Sequence, residues 1–221
     1  MHINAYLTKD HTDLLVKRLL NNLPGIVKEI LLGEKAWVAG GYILSVITKA
    51  PIKDIDIFFQ TYDEYSRAES LLTAKYSNNA NIRTLNGTTT FKFNDGRPSI
   101  QLISNWLEDS PTKLLDKFDF TIAQAALYVR YGLFELTHIS SYFENIAERE
   151  LVYNPNDDSR GSSILRIIKY ASRGYNITTE ELSIVLEALY ANAYPTFDLE
   201  DKKKSTAVLN FLKQFKTPSN E

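Results

Sequence analysis

Hydrophobic and polar positions along this chain alternate between two periods. From Asp10 to Gly33 apolar residues recur every three or four positions, broken once at Pro24-Gly25, which predicts two helices. Leu14, Leu15, Leu19 and Leu20 form the expected inner side of the first, with Asp10 or Thr12 as its cap, and Ile26, Ile30 and Leu31 that of the second. The apolar run Ala36 to Ala39 reads as a strand ending in Gly40-Gly41, followed by a short apolar helix, Tyr42 to Thr48. Lys53 to Phe59 then alternates as a strand does, and Tyr62 to Tyr76 returns to helical spacing with Ala68, Leu71 and Leu72 inward. Period-two segments follow. Asn81 to Leu85 and Thr88 to Phe93 flank the hairpin dipeptide Asn86-Gly87, and Asn94-Asp95-Gly96 turns the chain into Ser99 to Ser104. Pro111 to Lys117 predicts a short helical turn, and Thr121 to Arg130 with Leu133 to His138 predicts a further hairpin around Tyr131-Gly132. From Ser162 onward the spacing is helical: Thr178 and Glu181 suggest a capping box opening a helix to about Ala191, and Asp198 or Leu199 to Phe215 a last amphipathic helix carrying Lys202, Lys203 and Lys204. The expected fold class is α+β: a mixed sheet with flanking helices in a head spanning residues 1–150, then a helical, neck-like region at 151–221, joined by the polar stretch Asn154 to Ser163.

Composition narrows the chemistry. The 221 residues, 44% of them hydrophobic, are enough to bury a substantial core. The absence of Cys excludes disulfides, thiol nucleophiles and Cys-ligated zinc, and fits a reducing compartment. No apolar run reaches membrane-spanning length and no signal-peptide pattern opens the chain, so the expectation is a cytoplasmic protein with no membrane partner. A formal net charge of −2 gives no bulk attraction to nucleic acid. His2, His11 and His138 are too scattered to suggest a metal cluster.

The sharpest chemical signal lies in Asp54-Ile55-Asp56. Residues two apart on a strand share a face, so Asp54 and Asp56 project together while Ile55 and Ile57 project oppositely. Adjacent carboxylates repel unless a cation lies between them, and Mg²⁺ takes oxygen ligands while leaving room for substrate phosphates. Gly40 and Gly41 allow close approach of backbone to an anion and offer N–H donors at a helix start. Together these residues predict a metal–nucleotide site. The simpler alternatives are a solvated acidic strand face and an ordinary strand-to-helix turn. Arg166, Lys169 and Arg173 follow at i, i+3 and i+7, a basic stripe on one helical face, with Ile164, Leu165, Ile167, Ile168 and Ala171 expected on the buried side. Such a stripe is either a solvated face or a phosphate-binding one.

Gly40-Gly41 with Asp54-Ile55-Asp56, Asp119-Phe120-Thr121-Ile122, and Ile164-Leu165-Arg166 with Lys169 to Arg173 occur in an order that resembles the DNA polymerase β-type nucleotidyltransferase superfamily, most closely the head and neck of class II CCA-adding enzymes and poly(A) polymerases. The resemblance spans Ala36 to Tyr175. It implies that Asp54 and Asp56 are catalytic and hold Mg²⁺ or Mn²⁺. It also implies that Gly40, Gly41, Arg166, Lys169 and Arg173 contact triphosphate or acceptor, and that Asp119 accepts from a ribose hydroxyl or a basic partner. The implied function is Mg²⁺-dependent transfer of NMP from an NTP to an acceptor hydroxyl, with an RNA 3′ end, as in tRNA, the default acceptor. Several positions depart from the family. Lys117-Phe118 replaces an Arg pair, Ala123 replaces Asn, neutral Gln101 stands where a third strand carboxylate is expected, and Ser159 to Ser163 lacks the base-selecting Glu-Asp-x-x-Arg. These departures argue against standard CCA addition. They leave open a catalytically weakened nucleotide- or RNA-binding module, or a toxin-type enzyme acting on tRNA or protein. With little following the neck-like helix, an acceptor smaller than tRNA, or a protein acceptor, is likewise left open.

Overall fold

The alternation in β2 (Asp54–Phe59) organises the fold, because it gives one sheet two differently used faces. A computed structural model describes residues 9–155 and 162–193. In chain order, α1 (Lys9–Asn22), α2 (Gly25–Gly33), β1 (Ala36–Ala39) and α3 (Gly41–Thr48) precede β2. Then come α4 (Tyr62–Tyr76), β3 (Ala80–Leu85), β4 (Thr88–Phe93), β5 (Ser99–Ile103) and α5 (Pro111–Leu115). A single 3₁₀ turn (Thr121–Ala123) leads to β6 (Ala125–Arg130), β7 (Leu133–His138), α6 (Tyr142–Glu148), α7 (Ser162–Ala171) and α8 (Thr179–Ala193). The seven strands form one mixed sheet in the order β3-β4-β5-β2-β1-β6-β7, in which only β2 and β5 pair in parallel. The architecture is thus α+β, a seven-stranded mixed sheet with flanking helices and a helical segment after it.

One face carries Ile55, Ile57 and Phe59 of β2 beside Ile100 and Leu102 of β5, Val38 of β1 and Leu127 of β6, all fully buried in the main core with residues of α1 to α4. Each such side chain contributes about 1.5–3 kcal/mol by leaving water. The other face is apolar only at one end, where Trp37, Ala39, Phe58 and Ala126 pack beneath Leu114 and Leu115 of α5. Both faces of β1 are therefore covered, which is why it is apolar at every position. Toward Asp54 and Asp56 the second face is open. Tyr42 ties α3 to α1 by donating its hydroxyl to the Leu19 carbonyl (2.6 Å), fixing the helix that starts beside the open end.

Several expectations change. Leu14 of α1 is 66% exposed, because Val16 and Leu19, with Leu23 just past the helix end, make the inner side, and Asp10 and Thr12 lie within the helix rather than capping it. Leu71 is a rim residue of α4, whose inward positions are Tyr65, Ala68 and Leu72. The stretch 121–123 is a 3₁₀ turn and not strand, since Thr121 N–H is taken by the Val152 carbonyl and Phe120 bridges Tyr153. Helix α6 carries no side-chain cap and went unpredicted. At α8 the capping box is one-sided: Glu181 N–H donates to Thr178 Oγ1 (3.2 Å), but the Glu181 carboxylate accepts from Tyr153 N–H (2.8 Å). On α7, Leu165 and Ile168 are exposed (70% and 62%), as is Ala171; Ser163 and Tyr170 are the buried positions, with Ile164 and Ile167 packed partly against the core. The expected last helix, with Lys202 to Lys204, lies outside the described residues, as do His2 and most of the polar joint.

Candidate functional site

The open end of the second sheet face forms a cleft of about 300 Å³, roofed on one side by α7. All eight residues singled out in the sequence, Gly40, Gly41, Asp54, Asp56, Asp119, Arg166, Lys169 and Arg173, line it. β2 supplies the acids. Asp54 is exposed at the start of the strand and Asp56 is half-buried, while Ile55 between them is in the core. Neither carboxylate has a hydrogen bond or ion pair among the described residues. Burial first, then the Asp54 charge, pushes the Asp56 carboxyl up to about 7, with Lys169 and Arg166 pulling the other way. Two uncommitted carboxylates side by side in a concave site suit a hard dication. The donor chemistry therefore fits Mg²⁺ or Mn²⁺.

Gly40 shows why the turn needs glycine. Its φ is +75°, and an added Cβ would lie 3.0 Å from Cε1 of Phe118. Its N–H is already used, donating to the Ala125 carbonyl (3.3 Å). The donors left to face the cleft belong to the first turn of α3, starting at Gly41, where a side chain would meet open space. Ser45, one turn further along α3, also lines the cleft.

Helix α7 is held over the cleft by a partly buried ion pair. Asp119, 4% exposed, accepts from Arg166 Nη1 (2.6 Å) and from the Ser163 hydroxyl (2.8 Å), and Arg166 also donates to Ser162 Oγ (3.2 Å). Asp119 therefore has a basic partner, and part of the Arg166 guanidinium is spent on attachment. Lys169 and Arg173 make no ion pair among the described residues and lie over the Tyr170 ring at 5.5 and 5.8 Å. Burial, then the Arg173 charge, lowers the Lys169 pKa, while Asp56 and Asp54 raise it. Lys169 thus senses both sides of the cleft.

The sequence reading missed the cleft's aromatic wall and the residue that sets it. Phe58, Trp106 and Phe118 pack together with ring centroids 5.6–5.9 Å apart, beside Ile103. Phe118 is positioned by Asn154, whose amide donates to the Asp116 and Phe118 carbonyls (2.8 and 2.9 Å) and whose N–H donates to the Asp119 carbonyl (2.8 Å). Alternation from Asp54 through Asp56 to Phe58 was the available signal for the wall; Asn154 carried none. Gln101 pairs with Asp56 across the parallel β2–β5 register and with Thr90 on the far side, so it stands next to the acid in a row across three strands. Glu108 and Asp109 do not line the cleft; they pair with Lys117 and Lys113 at 2.7 and 2.6 Å.

Solved structures share this arrangement of sheet and helices. A Thermotoga maritima CCA-adding enzyme complexed with tRNA superposes over 93% of this chain and 57% of its own with a TM-score of 0.60 at 16% identity. A CCA-adding enzyme with CTP matches over 83% of this chain and 47% of its own, with a TM-score of 0.57 and 18% identity. At such identities the likeness establishes the nucleotidyltransferase-like fold. In sequence, the protein "Gabija anti-defense 2" of Bacillus phage SPbetaL7 is 25% identical over 194 residues, covering 87% of this chain and 47% of the phage protein, so this chain spans about half its length. The model of the Gabija anti-defense 2 family matches residues 8–149, from the start of α1 to the end of α6, and the chain belongs to that family.

Proposed function

We propose that this chain is the nucleotide-handling part of a phage counter-defence protein: it holds an NTP with Mg²⁺ in the cleft and transfers the NMP to an acceptor hydroxyl. One observation carries the reading. The carboxylates of Asp54 and Asp56 share the cleft with the cations Lys169 and Arg173, none of the four in an ion pair among the described residues, beside the helix start at Gly41. Acids to hold a dication and cations to hold a polyphosphate are thus set within one cavity. The relatives, an anti-defense protein and enzymes in complex with tRNA or CTP, support the same choice.

Asp54 and Asp56 would hold the ion, Lys169 and Arg173 the phosphates by charge-assisted hydrogen bonds, and the first turn of α3 a further phosphate oxygen. Bound Mg²⁺ would supply Lewis-acid polarisation of the α-phosphate. The acceptor oxygen bonds to the α-phosphorus, the bond from that phosphorus to the β-phosphate oxygen breaks, pyrophosphate leaves, and the hydroxyl proton passes to water. An RNA 3′ end is the acceptor we favour. A second reading, nucleotide binding without transfer, is favoured by the neutral Gln101 beside Asp56.

The test is incubation with each α-labelled NTP, Mg²⁺ and total RNA, beside an Asp54→Ala/Asp56→Ala variant. Label moved to RNA and lost in the variant supports transfer. Absence of transfer to RNA, to protein and to small hydroxyl compounds, with Mg²⁺-dependent NTP binding intact, selects the second reading.

A further inference from the structure

The charges around the cleft do not suit a pair of dications. The Asp119 carboxylate is almost wholly buried, and its Oδ2 accepts from both Arg166 (2.6 Å) and Ser163 (2.8 Å), so its charge is already balanced by Arg166 and adds no net negative charge to the cleft. What remains is Asp54 and Asp56 against Lys53, Lys169 and Arg173. One dication bound by the acid pair leaves the three cations to face an anion, and a nucleoside triphosphate answers them. A second dication would need another anionic ligand from the protein. The position where one would stand, next to Asp56 in the sheet, is Gln101, and the amide brings no charge. No replacement reaches in. Glu108 and Asp109 are held in ion pairs away from the cleft, and no group of three metal-ligating side chains exists among the described residues.

We infer that this cleft takes a single divalent cation, delivered on the nucleotide's phosphates, and that Gln101 is the residue that keeps a second ion out. The inference rests on the Mg²⁺–nucleotide reading of the cleft and goes beyond it in fixing the metal count. Two functional consequences follow. Metal alone binds weakly, since the acid pair already faces nearby cations. An acceptor hydroxyl placed opposite the nucleotide receives no metal of its own, so its proton must leave without that help and transfer is slow relative to nucleotide binding.

The experiment counts Mn²⁺ by the loss of its free-ion electron paramagnetic resonance signal, on the full chain, with and without an α,β-methylene ATP analogue. The expected result is one Mn²⁺ per chain in the nucleotide complex, and an affinity for Mn²⁺ alone weaker by more than about tenfold. Gln101→Glu is expected to bring the nucleotide complex to two Mn²⁺ per chain, with circular dichroism reporting that the variant is folded. Two Mn²⁺ per wild-type chain in the nucleotide complex overturns the inference and leaves the nucleotide reading standing. Failure of the analogue to bind with Mn²⁺ at all overturns both. The wild-type count decides the matter even if the variant does not fold.

Discussion

Removing the ion pair that fastens α7 over the cleft should cost less for both partners together than the two single losses add up to. Asp119→Ala removes a charge-assisted hydrogen bond, worth about 1.5–3 kcal/mol, and leaves the buried Ser163 hydroxyl without its acceptor. The Arg166 side chain is 41% exposed, so water recovers part of its loss, and the expected total is about 3 kcal/mol. Arg166→Ala leaves a carboxylate only 4% exposed with a single hydroxyl donor, a cost again of about 3 kcal/mol. In the double variant neither charge is stranded, so a loss of about 4 kcal/mol is expected, a coupling of about 2 kcal/mol. Urea unfolding followed by the fluorescence of Trp37 and Trp106 measures all four proteins, and hydrogen exchange in α7 should accelerate in each variant. A coupling below about 0.5 kcal/mol would refute the reasoning, since it would mean that the pair is solvated and α7 is held by other contacts.

Other tests address the cleft. The raised Asp56 carboxyl gives two pH effects. Without metal, the native state keeps a proton that the unfolded chain has lost between the ordinary carboxylate range and about 7, so stability falls as pH rises through that window. Mg²⁺ must displace that proton, so calorimetric titration should show the ion's affinity falling about tenfold per pH unit below 7. Gly40→Ala forces an alanine to φ +75° with its Cβ against Phe118, and a thermal melt should show a loss of about 1–3 kcal/mol. Lys169→Ala or Arg173→Ala should each weaken NTP binding by about tenfold while costing at most about 1 kcal/mol in a thermal melt, because each loses a cation–π contact with Tyr170 but no ion pair among the described residues.

Local patterns were legible in the sequence where the backbone enforces them. The Asp54-Ile55-Asp56 alternation put both acids on one sheet face, and Asn86-Gly87, with φ of +49° and +71°, made the hairpin it announces. The grouping of the candidate residues was legible as well, since the basic stripe of α7 does line the same cleft as the acids. What escaped was set by tertiary competition. An apolar residue at helical spacing can face core or solvent, and Leu14, Leu71, Leu165 and Ile168 were misplaced because other positions on their helices won the inner side. The Glu181 carboxylate was drawn from its cap to Tyr153 N–H, a partner 28 positions away. Asn154, which sets both Phe118 and Asp119, works through backbone carbonyls that no motif records.

The central claim is that the cleft binds a nucleotide through a metal held by Asp54 and Asp56. Calorimetric titration with ATP, in Mg²⁺ and then in excess chelator, compares the wild type with Asp54→Asn/Asp56→Asn, which removes two mutually repelling charges and so keeps the fold. The account predicts binding that requires Mg²⁺ in the wild type and is lost in the double variant. Equal binding with and without Mg²⁺, or binding unchanged by the double substitution, would contradict it.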